Sequence, residues 1–267
     1  MNKGALHLGV CAVVVMCSVV ARAEEAGAVR VLEESGMEFV WCPPGEALVG
    51  SPVPGAEIAK TFGGHESWYG AEYPQRVKKI DSGFWMGRFE VTRGQWKAVM
   101  GTTPWIIAKG QGECDTCPAT GMNYQAWETF VEKLSASTGL EFRIPTEVEW
   151  EYASRGGTTD TFYFGEDSTL LSDYGWWRIN GESMVHPVGE KKPNNWGLFD
   201  VIGNAAEWTS TAHEAKVASD QVKLGAFRVV RGGNVASTAA TLRHAWRISQ
   251  REVMPNQAVG LRVVLVE

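Results

Sequence analysis

The sequence predicts a mixed α+β domain, and three observations predict it. Three segments open with helix caps and carry apolar residues at helical spacing. Several short stretches carry strand patterning and end at turn residues. Thirty Gly and twelve Trp in 267 residues mark a loop-rich chain with aromatic-anchored turns. A 44% hydrophobic and 21% charged composition excludes a disordered chain and a coiled coil. The net charge of -6 turns the reading away from nucleic acid, whose phosphates want a basic surface.

The elements follow in order. Lys3, the apolar run Val10 to Val20 and Ala21-Arg22-Ala23 have the layout of a secretory signal peptide over residues 1–23. That layout implies a secreted or periplasmic protein with no membrane span once the signal is cleaved. Residues 24–35 are small and charged and read as a flexible lead-in to one domain over 36–267. Met37, Phe39 and Trp41 share one face of a first strand, and Pro43-Pro44-Gly45 reads as its hairpin turn. Residues 51–75 read as a long patternless loop, and Val77 to Phe89 as a strand.

Helix starts are clearer. Thr92-x-x-Gln95 and Thr146-x-x-Glu149 are capping boxes, and Asn123 caps a stripe of Trp127, Phe130, Val131 and Leu134. Gly101, Gly139 and Gly156 stop the three helices. Beyond residue 157 the chain reads as short strands and turns, with strands at Val229-Val230 and Arg262 to Val266. The patterned tryptophans, Trp41, Trp85, Trp96, Trp127, Trp150 and Trp208, are assigned to the core.

With the signal removed, Cys42, Cys114 and Cys117 remain. Cys114 and Cys117 suit a small loop disulfide in an oxidising compartment; a redox pair, half a zinc site and reduced thiols stay open. Their glycine- and proline-rich flanks favour the loop. The histidines show no metal-ligand spacing, and neither nucleophile-elbow nor nucleotide-binding glycine motifs occur.

Four segments occur in a recognisable order: Phe84 to Thr92 (FWMGRFEVT), Arg143 to Ala153 (RIPTEVEWEYA), Gly197 to Trp208 (GLFDVIGNAAEW) and Arg231-Gly232-Gly233, closing on Gly260-Leu261-Arg262. In these the chain resembles the formylglycine-generating enzyme, or sulfatase-modifying-factor, family. The resemblance implies that family's irregular, loop-rich variant of the C-type-lectin-like fold.

It also implies what is missing. The family's oxidation of a substrate cysteine uses copper(I) on two thiolates, because a soft cation selects sulfur. Those positions fall at Ser237 and Leu242, so copper and formylglycine formation are not expected. Asn234 and Ala206 are further departures from the pattern. Around them Arg243, His244, Trp246 and Arg247 read either as ion-paired scaffold or, with Asn234 and Ser237, as a cleft for an acidic or sugar ligand. The family's calcium site maps to Asp200, Gly203, Ala205 and Glu207, a hard-cation set of oxygens around a Gly-Asn turn, so calcium is expected as a structural cofactor. Glu147, Glu149 and Glu151 read as helix-start carboxylates rather than acid–base groups.

The expected function is an exported, non-catalytic binding or accessory protein acting on an unknown extracytoplasmic ligand or protein partner. The alternatives are a periplasmic oxidase or maturation enzyme using the same cleft, and a ligand-display protein.

Overall fold

The computed structural model describes residues 24–107, 112–213 and 226–266. The signal-peptide reading of 1–23 lies outside the described residues. Strands β1 (Val29–Leu32), β2 (Met37–Cys42) and β3 (Gly45–Val49) precede helix α1 (Gly55–Phe62) and strands β4 (Arg76–Ile80) and β5 (Phe84–Gly87). Then come α2 (Arg93–Met100), α3 (Tyr124–Thr138), β6 (Glu141–Arg143), α4 (Glu147–Arg155) and the single turn α5 (Leu171–Tyr174). Strands β7 (Ala206–Ala212), β8 (Phe227–Arg231), β9 (Ile248–Arg251), β10 (Val259–Gly260) and β11 (Val264–Val266) complete the order.

An antiparallel sheet, β1-β2-β5-β11-β6, divides the molecule, and both its faces are covered. Side chains alternate across a strand, so β2, β5 and β11 each feed two cores. Met37, Phe39, Trp85, Phe142 and Leu265 pack with Trp96, Trp127, Phe130 and Leu134 of α2 and α3. Val40, Cys42, Phe84, Met86 and Val264 face Ala153, Leu198, Val201, Ile202 and Leu242 instead. Trp96 stacks on Phe130 with centroids 5.4 Å apart and meets Trp127 edge-on at 4.7 Å. Truncating any one of these rings would cost about 3–5 kcal/mol. A second sheet, β10-β7-β8-β9, carries the candidate site at the C-terminal end of β8.

The three caps form as their sequences require. Thr92 and Gln95, and Thr146 and Glu149, make reciprocal capping boxes, Asn123 caps α3, and Gly101, Gly139 and Gly156 adopt left-handed C-caps.

Four expectations need correction. Residues 24–35 are not wholly a lead-in, because β1 pairs with β2 from Val29↔Val40 to Leu32↔Met37. Pro43-Pro44 is a corner, not a hairpin turn: β2 stays in the large sheet while β3 leaves to pair with β4. The stretch 51–75 holds α1, whose buried contact, Ile58, is too little to read as a stripe. Val77 to Phe89 is two strands in two sheets, broken at Asp81–Gly83. Among the described residues no helix is long and apolar enough to cross a membrane.

Candidate functional site

After β8 the chain turns through Gly232 and Gly233, both with positive φ. A Cβ on Gly233 would lie 2.7 Å from the Thr241 carbonyl oxygen, so this turn requires glycine. Ser237 Oγ accepts the Asn234 N–H at 2.9 Å, and Asn234 Oδ1 accepts the Ala236 N–H at 2.9 Å. The two side chains build the turn. Leu242 is buried in the core beside Val201 and Ile202. The positions where the resemblance places copper thiolates thus hold a turn hydroxyl and a core aliphatic, which do not fit a soft cation.

Sulfur elsewhere is committed. Cys114 and Cys117 are joined in a disulfide. Cys42 is the free cysteine among the described residues; it is fully buried, and burial pushes its thiol well up. It holds no thiolate for chemistry.

The cleft expected from Arg243, His244, Trp246 and Arg247 does not form as one floor. Arg243 is buried and clamps Glu72 bidentately at 2.7 and 2.8 Å, and its Nε donates to the Ala240 carbonyl. Trp246 meets Tyr69 edge-on. His244 is buried with Nδ1 3.0 Å from Ser154 Oγ. Burial, then Arg155 and Arg231, holds His244 well below its usual pKa and so neutral. Arg247 and Ala245 of this stretch line a pocket, where Arg247 pairs with Glu147 at 2.6 Å.

That pocket, about 150 Å³, lies between β4 and α4. Glu147 and Glu151 share one face of α4, as their i, i+4 spacing requires. Glu149 turns away to cap the helix and take Arg143 bidentately. Although burial opposes it, these bonds hold the Glu149 carboxyl below its usual value. Glu151 is fully buried and takes Arg155 at 2.7 Å, Arg231 at 2.6 Å and the Gly50 N–H at 2.9 Å. Glu147 reaches Arg231 at 3.4 Å and Arg247 at 2.6 Å. Arg231 is the hinge of this network, and also donates to the Ala245 and His244 carbonyls. In the sequence Arg231 stands only as part of the Arg-Gly-Gly motif, and Glu147 only as a helix-start charge. The one legible signal was the shared face of Glu147 and Glu151.

The proposed calcium residues occupy a separate, sealed place. Asp200 and Asn204 both have left-handed backbones, and a Cβ on Gly203 would collide with the Trp176 carbonyl. Asn204 binds Glu90, and the Ala205 N–H donates to the same carboxylate at 2.8 Å. Glu207 has both oxygens filled, by Arg262 at 2.8 Å and by the Trp150 indole at 2.6 Å. Asp200 Oδ1 is buried without a hydrogen-bond partner, but Glu207 would have to release Arg262 to join it around a cation. Among the described residues no group of three or more His, Cys, Asp or Glu is placed to hold a metal ion. As arranged, Glu207 gives its oxygens to Arg262 and Trp150, so calcium on Asp200, Gly203, Ala205 and Glu207 would require Glu207 to let them go. Burial, then Asp200 and Glu207, pushes the Glu90 carboxyl well up, and burial lifts Asp200 to about 6 against the pull of the Gly189 N–H and Arg262. Glu90 and Arg262 had no assigned role in the sequence.

The match of residues 25–266 to the sulfatase-modifying factor enzyme 1-like domain model decides the family. This chain belongs to it. Chaperone protein LppX of Paenibacillus barcinonensis is 26% identical over 231 residues, covering 68% of this chain and 80% of LppX. The formylglycine-generating enzyme of Mycobacterium tuberculosis is 42% identical over 80 residues, but these span 26% of this chain and 27% of that enzyme. The structure of PvdO from Pseudomonas aeruginosa overlays with a TM-score of 0.73 at 19% identity, covering 92% of this chain and all of PvdO. At that identity the likeness shows the fold, the C-type-lectin-like one of the formylglycine-generating enzyme type.

Proposed function

We propose that this family member is an exported binding or accessory protein without formylglycine-generating activity, its ligand site being the pocket between β4 and α4. One observation carries the reading: Leu242 sits in the core and Ser237 in a turn, where copper would need two thiolates. An accessory role agrees with the name chaperone given to LppX. The charged pocket supplies what a binding protein needs, pre-organised polar groups whose partners hold them in place.

The test is direct. Copper-loaded protein incubated with a cysteine peptide under air should leave the cysteine unchanged by mass spectrometry. Appearance of an aldehyde would overturn the reading.

A further inference from the structure

With the binding reading as its basis, we propose that the pocket between β4 and α4 takes a tetrahedral dianion, phosphate or sulfate, free or as the terminal group of a larger molecule. Three carboxylates reach it: Glu72, Glu147 and Glu151. Each already has its guanidinium. Arg243 holds Glu72, Arg155 and Arg231 hold Glu151, and Arg231 and Arg247 hold Glu147. Four arginines therefore answer three acids before Arg76 and Lys78 at the mouth are counted. Those two are exposed, and neither side chain has an ion pair or hydrogen bond to another described residue. The site holds three positive charges in excess, on a chain whose net charge is -6.

The geometry suits an oxyanion. Arg231 Nε and Arg247 Nε are buried N–H groups with no acceptor among the described residues, an uncommon state for a strong donor. Guanidinium forks match the oxygens of phosphate and sulfate, and charges in this half-dry setting act more strongly than in water. A volume of about 150 Å³ has room for a compact anion and a few waters, at about 30 Å³ of liquid volume each. The neighbouring histidines feel the same field: burial, then Arg247, lowers His213 despite Glu147, and Arg155 and Arg231 add to burial in lowering His244.

The experiment is calorimetry and thermal unfolding of the whole protein with inorganic phosphate, sulfate, glycerol phosphate and acetate, each against chloride at matched ionic strength. Phosphate and sulfate should bind and raise the melting temperature beyond chloride. The Arg76→Ala/Lys78→Ala variant removes only unpaired surface cations, so it should fold normally and bind at least tenfold more weakly. Glycerol phosphate binding as well as phosphate would mark a monoester terminus, and inorganic phosphate alone the free ion; both support the site. A response to phosphate no larger than to chloride or acetate, or a variant equal to the parent, would overturn it. A protein that makes no aldehyde and ignores phosphate keeps the binding reading and loses this one.

Discussion

Two charged regions of this molecule solve opposite problems. Around Arg262, three buried carboxylates, Glu90, Asp200 and Glu207, surround one guanidinium, and the excess is negative. Around Arg231, arginines outnumber carboxylates and the excess is positive, beside an open pocket. In the sealed region the imbalance is met by raised carboxyl pKa values and by bonds from the Ala205 and Gly189 N–H groups. In the open one, water and incoming ions can answer it. Burial alone therefore does not distinguish scaffold from site; the sign of the leftover charge and its access to solvent do.

The comparison breaks most sharply at Arg262, which pairs with Glu207 and donates to the Gly87, Arg88 and Phe199 carbonyls. Arg262→Met should cost about 5 kcal/mol in urea unfolding, the upper end for orphaning a buried partner. Arg243→Ala should cost about 3 kcal/mol by leaving Glu72 buried and unpaired. Because Glu72 lines the pocket, leaving it unanswered should also weaken anion binding.

A pH profile sharpens the open side. His244 is held neutral in the folded protein, while the unfolded chain takes a proton below about pH 6.5. Stability should therefore fall as pH drops below that value, by up to about 1.4 kcal/mol per unit from this one group, and be untouched by it above. His244→Gln should flatten that slope. The smallest effect is expected at the sealed cluster: with Glu207 taken by Arg262 and Trp150, melts with calcium and with chelator should coincide. A chelator-dependent drop would restore the metal site.

Local signals were legible because they are local. Each capping box lies within four residues, and α3 carries its own stripe and stop, so the sequence alone determined α2, α3 and α4 with their ends. The family resemblance, spread over four ordered motifs, carried the fold. It also placed Ser237 and Leu242 where thiolates would be needed, and that substitution needs no coordinates to be read.

The partners of the charges were not legible. Arg243 and Glu72 are 171 residues apart, and Arg231 and Glu151 are 80 apart. No spacing rule reaches across such separations. The same holds for the corner at Pro43-Pro44, where a turn signal is common to a hairpin and to a strand changing sheets. Only the tertiary structure decided that Arg243 is scaffold, that Arg247 reaches a pocket, and that Glu207 answers an arginine. Pairing of buried charges is settled by which surfaces the packed core brings within a few ångströms, and chain order does not encode that distance.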